Sequence, residues 1–203
     1  LKTGYFSDRK RPLGISGPTG GGPFPALDSF LDSLIGSGGA YAYLGGYQDG
    51  SQGLVRIDPA TLDAGSRESM PVMDEDGLRI TAIGVPHGIV PTIAFRVEIG
   101  DQSIVFASDQ NGNDASFVEF AMGADVLVMH MVVPENISGA GRALHAPPSR
   151  IGEIAAAAEA KSLVLGHFMA RSLRDLDANI ALVRTHYDGP VRAAEDLMCI
   201  PLD

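Results

Sequence analysis

The chain has 203 residues, of which 45% are hydrophobic, so it is long and apolar enough to form a substantial buried core. Its formal net charge of -10 at pH 7 argues against a broad basic face and against nonspecific polyanion binding by the body of the protein. Cys199 is the single cysteine, which excludes an intrachain disulfide and a cysteine-rich zinc site.

We predict one domain spanning residues 1–203, because neither a linker nor an internal repeat divides the chain. No apolar run approaches the ~20 residues that a membrane helix needs, and no signal peptide is visible. We therefore expect a soluble protein that has no membrane partner, and we place it in the cytoplasm.

The first quarter of the chain is rich in glycine and proline, and its elements are predicted from short apolar segments. In chain order they are a strand at 13–16, a helix at 25–35, and strands at 41–47 and 54–57. The helix is supported by Leu27, Phe30, Leu31 and Leu34, which share one helical face.

The rest of the chain begins with strands and continues with strands and helices in alternation. Gly100 and Asp101 predict a hairpin turn between two of the strands. The predicted elements are strands at 78–85, 92–99 and 103–107, a helix at 115–122, a strand at 126–130, a helix at 150–160, a strand at 162–165, a helix at 173–186 and a strand at 196–201. This order indicates a layered α/β or α+β domain.

Histidines occur at the ends of several predicted elements. His87, His130 and His167 lie at or just after strands, and His145 lies in a loop before a helix. His186 lies at a helix end and is interpreted as a solvated surface residue. Taken singly, a histidine in an apolar context is more often a hydrogen-bonded core residue than a metal ligand.

Asp109 begins a run rich in Asp, Asn and Gly that superficially matches a calcium loop, but its glycine falls two places early and its twelfth position is Phe120. Taken alone, Asp109 is better explained as an Asx-turn residue that caps the next helix. Because strands of one layer end at a common edge, however, Asp109 can converge there with His87 and His167. Two imidazoles and a carboxylate suit zinc, and also iron or manganese.

Five short motifs follow one another in a specific order and spacing. They are Pro12-Leu13-Gly14-Ile15-Ser16-Gly17-Pro18, Val85-Pro86-His87, Ile104-Val105-Phe106-Ala107-Ser108-Asp109, His145, and Leu163-Val164-Leu165-Gly166-His167. Together they resemble the metallo-β-lactamase superfamily, and specifically its ribonuclease Z-like branch. The resemblance implies a four-layer αββα sandwich, here partial, with a two-metal site at one edge of the paired sheets.

The resemblance also implies roles for individual side chains. His87 would bind one metal, Asp109 would bridge two, and His167 would bind the second. His145 would be a catalytic proton donor. His130 occupies the place of a family glutamate, and we consider it a second catalytic residue that shares a proton with His145.

Three departures from the family pattern limit what the resemblance implies. The His-x-His-x-Asp-His motif, which supplies most ligands of the two expected Zn²⁺ ions (Mn²⁺ or Fe²⁺ being alternatives), is absent from the sequence and is expected upstream of Leu1. His130 replaces the usual glutamate. The short turn between Glu98 and Ser103, where one group of ribonuclease Z enzymes has an insertion, argues against transfer-RNA processing.

These patterns favour a metal-dependent hydrolase in which a metal-activated hydroxide attacks a phosphodiester. A carboxylic ester or lactone hydrolase of the same fold is the alternative, and so is a non-catalytic interaction module that keeps half of the fold. The aspartate at position 109, where antibiotic-degrading lactamases use cysteine, argues against β-lactam hydrolysis. On the resemblance we also expect a homodimer.

Overall fold

The computed structural model describes residues 11–202. Contacts between Cα atoms divide the chain into two compact units, with the boundary between Asp63 and Ala64. The prediction of a single domain for residues 1–203 stays a prediction.

The first unit contains a small parallel sheet and short helices. Its elements are β1 (Leu13–Pro18), α1 (Leu27–Ile35), a 3-10 turn (Ala42–Leu44), α2 (Gly46–Asp49), a second 3-10 turn (Ser51–Gly53) and β2 (Ile57–Leu62). β1 pairs with β2 in parallel, and Leu13 lies opposite Ile57. Ile35, Leu44 and Tyr47 are buried in the centre of this unit.

Two of the predicted strands in this unit are wrong. The segment 41–47 is rich in tyrosine, which favours strands, but it forms tight helical turns that bury Tyr47 completely and leave Tyr41 and Tyr43 exposed. The strand predicted at 54–57 instead begins at Ile57 and runs on through Pro59. Proline is tolerated there because both strands of a two-stranded sheet are edge strands.

The second unit contains a seven-stranded mixed sheet with helices in the connections. The strands are β3 (Met70–Glu75), β4 (Leu78–Val85), β5 (Thr92–Ile99), β6 (Gln102–Phe106), β7 (Val126–His130), β8 (Leu163–Gly166) and β9 (Val191–Ala193), in that spatial order. The helices are α3 (Ala115–Phe120), α4 (Gly139–Leu144), α5 (Pro148–Ala157), α6 (Ala170–Leu173) and α7 (Leu176–Arg184). The α/β prediction is confirmed.

Strand direction in this sheet places several strand ends together. β3, β4, β5 and β6 pair antiparallel in succession, whereas β6, β7, β8 and β9 pair in parallel. β4 therefore runs in the same direction as β6, β7 and β8, and the carboxyl ends of these four strands lie at one edge of the sheet. Helices connect the parallel strands, as parallel pairing requires.

The core of the second unit lies between the sheet and the helices α3, α5 and α7. Leu127, Leu163 and Leu165 are fully buried on the parallel strands, and Phe117 and Ile151 are buried on the helices. Strands buried on both faces read as continuous apolar runs, which explains why β7 and β8 are recognisable in the sequence. Within residues 11–202, no helix has the length and apolar character needed to cross a bilayer.

Two predictions in this unit need correction, and two elements were not predicted. The segment 196–201 is not a strand; the last strand is Val191–Ala193, which pairs with β8. The helix predicted at 173–186 is two helices, α6 and α7, and α4 was not predicted. β3 was also missed, because Pro71 argues against a strand; β3 lies at the edge of the sheet, where proline is tolerated.

A buried carboxylate, Asp125, anchors the start of β7 away from the edge that carries the histidines. It accepts hydrogen bonds from Ser103 N at 2.6 Å, Ser103 Oγ at 3.2 Å and Lys161 Nζ at 2.6 Å. The bond from Lys161 is the largest cause that lowers the pKa of Asp125, and the bonds from Ser103 act in the same direction. The ionised carboxylate is therefore favoured by folding.

Asp125→Asn is expected to lower the free energy of unfolding by about 1–2 kcal/mol at pH 7, since bonds to a charged acceptor are replaced by weaker ones. The folded pKa lies below the unfolded value, so this contribution is present above about pH 4 and is lost as the pH falls further. Urea denaturation at neutral and acidic pH should show that wild type and variant converge in acid. Lys161→Gln leaves both bonds from Ser103 intact, so it should lower the free energy of unfolding by less than Asp125→Asn does. If the difference in the free energy of unfolding between wild type and Asp125→Asn stayed constant with pH, the charge of Asp125 would not be its cause.

Candidate metal centre

Four strand ends and one helix end bring the predicted site residues to a single edge of the seven-stranded sheet. His87 and Asp109 lie in the loops after β4 and β6, His130 is the last residue of β7, and His167 directly follows β8. His145 directly follows α4. The structure thus gathers all five residues that the sequence singled out.

The distances define two overlapping clusters. The donor atoms of His87, Asp109 and His145 lie within 4.8 Å of one another. The Nε2 atom of His167 lies 3.2 Å from the Oδ2 atom of Asp109. Asp109 is therefore common to both clusters, and its side chain is 29% exposed while that of His167 is 54% exposed.

The ring of His87 is held in one orientation by a main-chain acceptor. Its Nδ1 lies 2.8 Å from the carbonyl oxygen of Leu144. A carbonyl only accepts, so Nδ1 carries the proton and Nε2 keeps its lone pair. This arrangement is typical of metal-binding histidines, whose second ring nitrogen donates to a carbonyl or carboxylate.

Two residues next to Asp109 have uncommon backbone conformations: Ser108, which precedes it in the sequence, and His167, which contacts its carboxylate. Ser108 and His167 both have a φ of 52°, in the left-handed region that residues other than glycine rarely occupy. The Oγ of Ser108 donates to the carbonyl of Ile93 at 2.7 Å, which helps to hold this conformation. Such strain is concentrated at functional sites, where surrounding contacts enforce it.

His145 is buried and lies in the centre of the histidine cluster. Its ring centroid is 5.0 Å from that of His87, 5.4 Å from that of His130 and 6.4 Å from that of His167. Burial lowers the pKa of His145, while the Asp109 carboxylate opposes this effect. Within residues 11–202 its Nδ1 has no hydrogen-bond partner, and a buried nitrogen of this kind calls for a ligand, an ion or water.

His130 is the most deeply buried of these histidines. Its Nδ1 lies 3.0 Å from the carbonyl oxygen of Ser108, and its Nε2 lies 3.2 Å from the backbone N of Ala146. Burial lowers the pKa of His130 to about 4, against the opposing charge of Asp109. At neutral pH the ring is therefore uncharged. The shared proton with His145 stays a prediction.

Main-chain hydrogen bonds between the loops, which the sequence does not reveal, connect the site. Asn111 N donates to Pro86 O at 2.9 Å, and Ala146 N donates to Gln110 O at 2.8 Å. The guanidinium of Arg142 donates to Asn111 O at 2.8 Å. The sequence analysis did not single out Arg142, although a charged residue three positions before His145 could have drawn attention to it.

A cavity of about 240 Å³ opens beside the carboxylate. It is bounded by side chains and backbone at the ends of β6, β7 and β8. Its lining includes Phe106, Ser108, Asp109, Met129, His130 and His167. Asp109 and His167 thus face a space in which a small group can be bound.

The donor set fits a divalent metal. Two imidazoles and one carboxylate are a usual protein ligand set for zinc, and a catalytic ion keeps a further position open. The oriented Nε2 of His87 and the 3.2 Å contact of His167 Nε2 with Asp109 Oδ2 agree with this assignment. The Nδ1 of His145, which has no partner among residues 11–202, is open to either role, further ligand or proton donor. Two ions need about eight ligand positions, so a dinuclear centre requires donors beyond these residues.

Comparisons with known proteins identify the family. A family model described as the beta-lactamase superfamily domain matches residues 43–168, which is more than half of the chain. The chain therefore belongs to the β-lactamase superfamily, and the predicted metallo-β-lactamase-type α/β fold is confirmed.

Two proteins are similar to this chain, one in sequence and one in structure. The chain is 29% identical over 160 residues to ribonuclease Z of Mycolicibacterium paratuberculosis, and the match covers 71% of this chain and 55% of that protein. The structure of the short form of human tRNase Z matches with a TM-score of 0.65 and 19% identity, over 96% of this chain and 70% of the other. Both likenesses agree with the ribonuclease Z-like branch that the sequence predicted.

A third relative contains a metal. The structure of Zn²⁺-bound PqqB from Methylobacterium extorquens matches with a TM-score of 0.60 and 14% identity, over 94% of this chain and 63% of that chain. The chain spans 55% of the length of the curated relative.

Proposed function

We propose that the protein is a metal-dependent hydrolase whose substrate is a phosphodiester. The observation that carries the proposal is the cluster of donor atoms from His87, Asp109 and His145 within 4.8 Å, with His167 3.2 Å from Asp109. Two relatives whose names denote ribonucleases support a phosphodiester substrate.

We assign metal binding to His87, Asp109 and His167. Zn²⁺ is the ion that this donor set favours, with Mn²⁺ or Fe²⁺ as alternatives. A divalent ion held there would supply Lewis acidity to activate water and to stabilise charge on the phosphoryl oxygens. In a centre with two ions, Asp109 would bridge them, and the remaining donors would come from outside the residues assigned here.

We assign proton donation to the leaving group to His145. His145 does not line the cavity, but its donor atom lies within 4.8 Å of those of His87 and Asp109, so it would lie close to a diester held at this centre. Burial favours the neutral ring in the free protein, but a phosphodiester carries a negative charge that would favour the protonated form on binding. General acid catalysis by a positioned histidine typically contributes about 10²–10⁴-fold to the rate.

Two alternatives remain as outcomes of the test. A carboxylic ester or lactone hydrolase would use the same donors with a different acyl substrate. A non-catalytic interaction module would not require the oriented Nε2 of His87 or two left-handed residues beside the carboxylate. Homodimeric assembly and a cytoplasmic location stay predictions from the sequence.

The experiment compares metal content with hydrolysis of two chromogenic substrates. The purified full-length protein is expected to contain stoichiometric zinc and to hydrolyse bis(p-nitrophenyl) phosphate faster than p-nitrophenyl acetate. Chelation should remove the activity, and added Zn²⁺ should restore it. Preference for the acetate would favour the esterase alternative, and absence of stoichiometric metal would favour the interaction module.

A further inference from the structure

His130 makes two hydrogen bonds to the main chain, one at each ring nitrogen. Nδ1 lies 3.0 Å from Ser108 O, and a carbonyl oxygen only accepts, so Nδ1 must carry the hydrogen. Nε2 lies 3.2 Å from Ala146 N, and a backbone N–H only donates, so Nε2 must present its lone pair. The neutral tautomer that carries its hydrogen on Nδ1 satisfies both contacts at once.

These partners directly flank the residues that form the site. Ser108 precedes Asp109 and holds the left-handed conformation with a φ of 52°. Ala146 follows His145, and its N–H is shared between His130 Nε2 and the carbonyl of Gln110, at 2.8 Å from the latter. The backbone from Ser108 to Gln110, the N–H of Ala146 and the ring of His130 are therefore joined in one ring of hydrogen bonds. This ring includes the backbone of Asp109 and connects its loop to the loop of His145.

We propose that His130 is a positioning residue that sets the placement of Asp109 relative to His145, as a neutral ring protonated at Nδ1. It acts through two main-chain bonds and does not exchange a proton with His145. A proton placed on Nε2 would break the bond from Ala146 N–H and leave two N–H groups facing each other in a buried space.

The chemistry of the side chain explains why a histidine serves here. One side chain must donate to Ser108 O and accept from Ala146 N at opposite ends of a rigid group. An ionised glutamate, the residue that the resemblance places here, accepts only. A neutral imidazole does both with a fixed separation between its two nitrogens.

The first test measures the tautomer in the metal-free wild-type protein. Long-range ¹H–¹⁵N correlation spectra of ¹⁵N-histidine-labelled protein at neutral pH, assigned by through-bond correlation to the His130 backbone, are expected to show a neutral ring protonated at Nδ1. A ring protonated at Nε2 overturns the proposal. This measurement is independent of the proposed hydrolase function.

The second test uses two amide variants of His130, each of which can keep one of its two hydrogen bonds and not the other. The amide of His130→Asn lies where Nδ1 lies and can still donate to Ser108 O, whereas the amide of His130→Gln lies where Nε2 lies and can still accept from Ala146 N. His130→Ala removes both bonds. Cooperative urea unfolding identifies variants that remain folded.

The two amide variants are expected to affect different quantities, zinc affinity in one and reaction rate in the other. Zinc affinity, which depends on Asp109, should fall less than tenfold in His130→Asn and about 10–100-fold in His130→Gln, the range typical for residues that orient a ligand. The rate on a dinucleoside phosphate at saturating Zn²⁺, which depends on His145 and rests on the proposed function, should be better preserved in His130→Gln. Equal rate losses in both amide variants with unchanged zinc affinity would indicate proton relay and overturn the proposal.

Discussion

Replacement of Asp109 by asparagine is expected to weaken zinc binding by more than about a hundredfold and to remove zinc-dependent hydrolysis of bis(p-nitrophenyl) phosphate. Asp109 is the residue shared by both donor clusters, one with His87 and His145 and one with His167. Loss of an orienting residue behind a ligand already costs about 10–100-fold in metal affinity, so loss of a ligand should cost more. Zinc competition with a chromogenic chelator measures the change.

Asp188→Asn is the matched control, because it makes the same chemical change at an exposed residue outside the site. It should bind zinc and hydrolyse the substrate like the wild type. If Asp109→Asn retained wild-type zinc affinity, Asp109 would not be a ligand and the assignment of the centre would fail. If it lost zinc but kept activity, the hydrolase mechanism would fail while the metal site remained.

The sequence predicted best the strands that pair with their neighbours along the chain. β4 and β5 were predicted with their observed bounds, and the turn at Gly100 marks the end of β5 in its hairpin with β6. β9 was placed several residues too late, since its only partner is β8 and that parallel pairing leaves no turn signal in the sequence. Its three residues, Val191–Ala193, are too few for a periodic pattern.

Two other strands that were missed or predicted too short contain a proline. Pro59 and Pro71 both lie inside observed strands, where proline is uncommon. A proline is excluded from a central strand but not from an edge strand. Whether a strand lies at the edge is a property of the assembled sheet, so the local sequence does not determine it.

The chemistry-bearing side chains were predictable, but the atoms that orient them were not. His87, Asp109 and His167 follow apolar strands that end at one edge, which is visible as a pattern in the sequence. The ring of His87 is oriented by the carbonyl group of Leu144 and the ring of His130 by that of Ser108, and any residue type has such a group. A main-chain partner leaves no trace in residue identity, and only the folded chain shows it.

His145→Gln is expected to keep zinc affinity within about tenfold of the wild type and to slow hydrolysis of a dinucleoside phosphate by about 10²–10⁴-fold. Glutamine is close in size to histidine and can form hydrogen bonds, but it cannot donate a proton as a general acid. His145 lies 5.0 Å from His87 between ring centroids, so both roles, ligand and acid, are sterically open to it.

The leaving group distinguishes these roles. An alkoxide needs a proton as it departs, whereas p-nitrophenolate is stable as an anion, so loss of a general acid should slow a dinucleoside phosphate far more than bis(p-nitrophenyl) phosphate. Loss of a ligand should instead lower zinc affinity and slow both substrates alike. His186→Gln, at an exposed histidine, controls for the substitution itself. Equal slowing of both substrates together with weakened zinc binding would therefore reassign His145 from proton donor to metal ligand, a role for which its unpartnered Nδ1 is also suited.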